Sequence, residues 1–130
     1  MSITQGFTIN KEDMLRSKLV KPGVYLLNIK SMEQKPSTKN PDAFTIHVTM
    51  LVKEGEFAGV PVRHFLPETA PGFAIDFLEA VTGKKLPEDG VTITPTQLLA
   101  LVGRDVKAAL KPIKDPVYGP QNKIEGFMPA

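Results

Sequence analysis

The sequence predicts a mainly β fold with five strands and a helical insert between the third strand and the fourth. Three observations support this prediction. Apolar and polar residues alternate along several short segments, which is typical of strands with one buried face. The 12 prolines and 10 glycines divide the 130 residues into many short elements. The clearest helical spacing of apolar residues lies in the middle of the chain, between residues 72 and 83.

Composition excludes several classes of protein. Cysteine is absent, which excludes disulfides and thiolate metal sites. No apolar run approaches the roughly 18–20 residues that cross a bilayer. Residues 1–10 also lack the charged-then-apolar pattern of a secretory signal. We therefore expect a cytoplasmic protein without a membrane partner.

The net charge of +2 is too small to indicate a nucleic-acid partner by itself, but the charge is unevenly distributed. Residues 1–41 carry a net charge of +4, residues 42–103 carry −4 and residues 104–130 carry +2. If the two basic ends meet in the fold, one face of the protein will be positive. The alternative is a mixed, solvated surface.

The chain is predicted to divide near residue 20. Residues 1–20 form an N-terminal arm or a short helix, because Asn10 can cap a helix and Asp13 follows three positions later. Pro22 and Gly23 then break the chain. Residues 21–130 form the predicted barrel domain.

Three strands follow this break in close succession. The first covers residues 24–32, and a polar loop at residues 34–42 leads to the second, at residues 44–52, which has the cleanest alternation in the chain. Val60 and Val62, followed by His64 or Leu66, form the inward face of a third strand. Its opposite face then carries Arg63 and Phe65.

The helical insert and two further strands complete the domain. A helical stripe made by Phe73, Phe77, Leu78 and Val81 ends at Gly83. The segment Thr94-Pro-Thr-Gln97 has the pattern of a capping box and predicts a short helix over residues 95–102. Residues 106–110 and 122–128 form the last two strands, joined by a proline-rich loop at residues 112–121.

This order of elements is that of a five-stranded Greek-key barrel of the OB type. Such barrels bind oligonucleotides or oligosaccharides on the face of strands 2 and 3. The loops between strands 1 and 2 and between strands 4 and 5 frame that face. Here these are the loops at residues 34–42 and 112–121, and both contain lysine.

Single-strand binding requires cations along the backbone path and aromatic faces on which bases stack. Phe65 is a candidate platform beside Arg63, unless the strand twists and buries the ring. Tyr118 is a second candidate, unless its ring packs on the barrel rim, and His47 lies on the polar face of the second strand. The lysines of the two loops are either phosphate ligands or solvated side chains. The candidate DNA-binding residues are therefore Lys35, Lys39, His47, Arg63, Phe65, Lys111, Lys114, Tyr118 and Lys123.

No pattern in the sequence indicates catalysis. His47 and His64 are the only histidines, and no further ligands stand at a spacing suited to a metal. The sequence contains no P-loop, no G-x-G-x-x-G and no G-x-S-x-G motif. We therefore expect a protein that is not an enzyme and that holds neither a metal nor a cofactor.

Several motifs follow one another in a fixed order: Pro22-Gly-Val-Tyr25, Glu33-Gln-Lys35, Ser37-Thr-Lys39, Phe44-Thr-Ile-His-Val-Thr-Met50, Gly55-Glu-Phe-Ala-Gly59, Leu101-Val-Gly-Arg104 and Gly126-Phe-Met-Pro129. In this order they resemble the small phage-encoded single-stranded-DNA-binding proteins. The similarity covers roughly residues 20–129, and it implies an OB-like fold that coats single-stranded DNA with little sequence preference. It further implies a role in DNA replication or recombination of a bacteriophage, in the cytoplasm of its infected host.

The sequence also leaves two other functions open, and it puts recruitment of partners through an acidic tail in doubt. The chain ends Glu125-Gly-Phe-Met-Pro-Ala130, without the acidic tail with which many such proteins recruit partners. A β-barrel module that docks replication or recombination proteins, or that forms a homodimer, would suit an exposed Leu51 and the apolar second face of the first strand. An oligosaccharide-binding barrel is a third reading, against which the absence of tryptophan weighs.

Overall fold

The computed structural model describes residues 2–116 and 119–130, with Arg16 described by its backbone alone. The chain is mainly β, and its five strands form one antiparallel sheet in the order β3-β2-β1-β4-β5. This confirms the prediction of a mainly β fold with five strands. The elements are α1 Lys11–Arg16, β1 Gly23–Pro36, β2 Phe44–Val52, β3 Pro61–Pro67, α2 Gly72–Thr82, α3 Pro95–Leu99, β4 Asp105–Asp115 and β5 Gly119–Met128.

The strand β1 organises the sheet, because it pairs with both β2 and β4. Leu27 lies opposite Val52 on one side and opposite Val106 on the other. Between Ile29 and Ser31 the register with β2 shifts by one residue, which makes Lys30 the extra residue of a β-bulge. A bulge bends its strand and increases the local twist, so β1 can turn from one neighbour toward the other.

The first and last strands of the sheet, β3 and β5, contact each other through side chains. The rings of His64 on β3 and Phe127 on β5 lie 5.0 Å apart between centroids. Phe77 of α2 packs on Phe127 at 5.3 Å. The described residues show no backbone ladder between β3 and β5, so within them the sheet is not closed by hydrogen bonds.

The core lies on the face of the sheet that α2 covers. Leu27, Ile29, Met50 and Phe77 are each fully buried. Phe44, which alternation also predicts to face inward, is half-buried. The other inward positions predicted by alternation on the second, third and fourth strands are buried as expected. They are Ile46, Val48, Met50, Val52, Val60, Val62, Leu66, Val106, Ala108 and Leu110.

The first residue of the predicted helical stripe does not reach this core. Phe73 is 55% exposed, whereas Phe77, Leu78 and Val81 are buried. The reason is that α2 packs on the sheet through its second and third turns. The ring of Phe73 lies instead beside His64 of β3, with the two ring centroids 6.3 Å apart.

The predicted helix signals are confirmed. The Asn10 side chain accepts from the backbone N–H of Asp13 at 2.9 Å, and Thr94 accepts from the backbone N–H of Gln97 at 3.2 Å. Gly83 ends α2 in the left-handed conformation, with φ of 70°. The last helix is shorter than predicted and ends at Leu99. No helix in the described part of the chain is long and apolar enough to cross a membrane.

Both predicted loops are wrong in their bounds, because the strands continue into them. Gln34 and Lys35 still pair with β2, so the first connection shrinks to residues 37–43. Pro112 pairs with Asn122, and the ladder of β4 and β5 runs on to Asp115. Residues 33–36 of β1 are exposed and residues 111–115 of β4 are at most half-buried, so these strand ends show no clear apolar alternation, and their backbone pairing defines them as strands.

Two phenylalanines one helical turn apart test this packing. Phe77→Ala should lower the free energy of unfolding by about 3–5 kcal/mol, because it empties a fully buried site. Phe73→Ala should lower it by less than about 1 kcal/mol, since the side chain is already half exposed. Urea unfolding followed by circular dichroism measures both. Equal losses for the two variants would contradict the described docking of α2.

Candidate nucleic-acid interface

The face of β1, β2 and β3 that points away from the core, here called the outer face, carries polar and charged side chains. Cross-strand pairing places Glu33 opposite His47 and His47 opposite Phe65. These three residues form one row across three strands, here called the central row. Residues paired across strands share a face, so the central row presents a carboxylate, an imidazole and a phenyl ring side by side.

The two neighbouring rows each add a cation. Lys35 pairs with Thr45 on one side of the central row, and Thr49 pairs with Arg63 on the other. Lys35 and Arg63 are two strand spacings apart, roughly 10 Å across the sheet, and two row spacings apart, roughly 13 Å along it. The sheet thus brings four candidates together on its outer face: Lys35, His47, Arg63 and Phe65.

Phe65 lies on the outer face and not in the core. Its side chain is 47% exposed, while Leu66 beside it is buried. The Phe65 and His47 rings stand nearly perpendicular, at 87°, with their centroids 4.8 Å apart. This edge contact restricts the phenyl ring while leaving about half of it open to solvent. A base could stack on such a surface.

The charges of the outer face are balanced locally. The Lys35 Nζ lies 3.5 Å from the Glu33 Oε2, and both side chains are more than half exposed. Burial lowers the pKa of His47, the positive charges of Lys35 and Arg63 lower it further, and the carboxylate of Glu33 opposes them. The imidazole is therefore neutral at pH 7, with one nitrogen that donates a hydrogen bond and one that accepts.

The remaining candidates lie elsewhere. Lys39 is exposed in the connection between β1 and β2. Lys111 and Lys123 stand directly opposite each other on β4 and β5, and Lys114 is opposite Pro120 closer to the tip of that hairpin. Tyr118 lies outside the described residues.

The strand register also fixes where the outer-face candidates lie relative to the lysines of the β4–β5 hairpin. The tip of the β1–β2 hairpin lies beyond Pro36, at the C-terminal end of β1. Leu110 of β4 lies opposite Gly23, at the N-terminal end of β1, and β4 continues beyond this point to Asp115. The two hairpin tips therefore leave opposite ends of β1. A ligand that touched both groups would have to reach both ends of β1.

Sequence reasoning missed three polar residues of the outer face. Thr45 and Thr49 were on the predicted polar face of the second strand, and the alternation could have singled them out. Glu33 was harder to find. The bulge at Lys30 reverses the faces of β1, and a bulge in a polar stretch leaves no mark in the apolar pattern.

The comparisons with known proteins add no family. The chain matches no protein-family model, and no curated protein matches it significantly. The resemblance to phage single-stranded-DNA-binding proteins therefore remains a prediction, which rests on the motifs quoted above.

The ionisation of His47 tests the geometry of the outer face without any ligand. Lys35→Gln should raise the pKa of His47, and Glu33→Gln should lower it, because each removes the charge of a neighbour. A proton NMR titration of the imidazole measures both shifts. Lys39→Gln is the matched control and should leave the titration unchanged. Shifts of the opposite sign would contradict the described arrangement.

Proposed function

We propose that the protein binds single-stranded DNA without catalysing a reaction, and with little sequence preference overall. The observation that carries this proposal is the exposed Phe65 ring, flanked by Lys35 and Arg63 on the outer face. Non-specific single-strand binders combine stacking platforms with cations along the backbone path. The resemblance to phage proteins extends the proposal to bacteriophage DNA replication or recombination, in the cytoplasm of an infected host.

The proposal includes a fold of the OB type, that is, a partly open five-stranded Greek-key barrel. The double pairing of β1 and the approach of β3 to β5 through His64 and Phe127 support it. The position of α2 between β3 and β4 along the chain supports it as well. OB barrels bind their ligands on the face of strands 2 and 3, where His47, Arg63 and Phe65 lie.

In the proposed binding mode, one base stacks on Phe65 while the phosphates on either side of it approach Lys35 and Arg63. Stacking on an aromatic side chain contributes roughly 1–3 kcal/mol per base. The opposed lysines Lys111 and Lys123 repel each other in the free protein, and a phosphate near them would relieve that repulsion. Lys39 and Lys114 would extend the backbone contact at the two hairpin tips.

A second candidate function is a module that docks proteins of the replication or recombination machinery without touching DNA. The N-terminal arm favours it, because Ile3, Phe7 and Ile9 are 91%, 97% and 67% exposed. Leu51 gives less support than the sequence suggested, since it is half-buried. Phe7→Ser would abolish partner docking through the arm, whereas DNA binding through the outer face would be unchanged.

The electrostatic part of the proposal is tested by salt. Affinity for a mixed-sequence single-stranded oligonucleotide should fall steeply as salt is added. The expected slope is about −0.7 in log K against log salt for each phosphate contacted. Two to five contacts then give a total slope of roughly −1.4 to −3.5. Fluorescence anisotropy of a labelled strand measures the slope, and a duplex of the same sequence should bind more weakly. A slope of zero, or equal binding of the duplex, would refute the proposal.

The stacking part is tested by Phe65→Leu, which keeps an apolar side chain but removes the aromatic face. Affinity for single-stranded DNA should fall by a factor of roughly 5–150, corresponding to the loss of one stacked base. Phe73→Leu is the matched control, because Phe73 is similarly exposed but belongs to α2. If both variants bind like the unmodified protein, Phe65 is not a stacking platform.

A further inference from the structure

The central row contains an acidic residue, which is unexpected on a surface proposed to bind a polyanion. Glu33 stands opposite His47, which in turn stands opposite Phe65. Its side chain is 63% exposed. A carboxylate here repels phosphate, so its presence at this position requires a reason.

We propose that Glu33 selects the base stacked on Phe65, by accepting a hydrogen bond from an exocyclic amino group. This inference rests on the proposed function and adds a base preference at one position of the bound strand. Cytosine, which carries an amino group at C4, is favoured there over uracil and thymine, which carry a carbonyl oxygen at the same position. Such preference at one site is compatible with weak sequence dependence along the rest of the strand.

The positions of Glu33 and Phe65 in the sheet support a contact between the glutamate and a base stacked on Phe65. Neighbouring strands lie about 4.8 Å apart, so two strand spacings, roughly 10 Å, separate the backbones at Glu33 and Phe65. A base stacked on Phe65 covers part of this interval and extends over β2. Glu33 stands on β1 at the other end of this interval, opposite His47, and its side chain is exposed.

The chemistry of the carboxylate makes it selective. An ionised carboxylate accepts hydrogen bonds and cannot donate one. At position 4 of the base it can therefore accept from the amino group of cytosine, whereas it repels the carbonyl oxygen of uracil. The one donor on the pairing edge of uracil, the N3–H, lies on the neighbouring ring atom, so the preference depends on the carboxylate facing position 4. The neutral His47, which lies between Glu33 and Phe65, can either donate or accept a hydrogen bond, so it does not discriminate between cytosine and uracil.

Lys35 holds this carboxylate in position. Its Nζ lies 3.5 Å from the Glu33 Oε2, which offsets part of the negative charge on the outer face. A carboxylate has about four lone-pair sites on two oxygens, so the contact with Lys35 leaves acceptor capacity for a base. Lys35 thus has two roles in the proposal, as a phosphate ligand and as a positioning residue for Glu33.

The test compares oligo-dC with oligo-dU of equal length, bound to the full-length protein at pH 7.5 and constant salt. Oligo-dU is used because it lacks the methyl group of thymine. We expect oligo-dC to bind roughly 3- to 10-fold more tightly, since an exposed contact discriminates less than a buried bidentate pair. Glu33→Gln should bring the ratio close to one and strengthen binding of both strands, because the amide both donates and accepts and carries no charge.

Glu56→Gln is the matched control, because Glu56 is another exposed glutamate in a lysine pair, with Lys21 at 3.8 Å. It should leave the ratio of the two affinities as it is in the unmodified protein. Thermal unfolding of both variants should match that of the unmodified protein, since both side chains are exposed.

Three outcomes would overturn the inference alone. They are equal binding of the two strands by the unmodified protein, an unchanged ratio in Glu33→Gln, and an equal loss of the ratio in Glu56→Gln. An unchanged ratio with stronger binding overall would mean that Glu33 acts only as a repelling charge. If neither strand binds, the proposed function itself fails, so the two failures are distinguishable.

Discussion

The double pairing of β1 is the constraint on which the rest of the structure depends. Leu27 is fully buried with a partner strand on each side, and the same strand supplies Ile29 to the core. Because β2 and β4 both run antiparallel to β1, their hairpins must extend in opposite directions. The core, the outer face and the separation of the two groups of basic residues all follow from this arrangement.

The outer face combines groups that usually work against each other. A cation and a carboxylate sit two residues apart on β1 and form an exposed pair, and such pairs contribute little to stability. The imidazole beside them stays neutral because burial and two positive neighbours oppose its protonation. A surface with these groups carries only a moderate positive charge.

The fold and the candidate site were predictable to different degrees. Where one face of a strand is buried, alternation identifies both the strand and its inward residues, as it does from Ile46 to Val52. Capping residues are equally informative, because Thr94 and Gln97 satisfy backbone groups that the helix itself leaves free. The outward placement of Arg63 and Phe65 followed from the same alternation.

The sequence could not reveal features that depend on backbone pairing alone. Residues 33–36 and 111–115 show no clear apolar alternation, so these strand ends resemble loops. Phe73 has the correct helical spacing, but spacing does not tell where along α2 the contact with the sheet begins. Glu33 could not be recognised as a neighbour of His47, since that pairing exists only after the register shift.

The bulge at Lys30 has a consequence for how this surface can vary. Before it, the inward residues of β1 are odd-numbered, such as Leu27 and Ile29, whereas after it Glu33 and Lys35 point outward. Loss of the single codon for Lys30 would remove the extra residue and leave Glu33 opposite His47 and Lys35 opposite Thr45. A regular ladder that kept Lys30 would instead turn both charges toward the core. Substitutions at this position change one exposed side chain, and an in-frame deletion would remove the bend that the bulge introduces without exchanging the faces of the strand. The bulge therefore lets β1 carry one extra residue while Glu33 and Lys35 remain on the outer face.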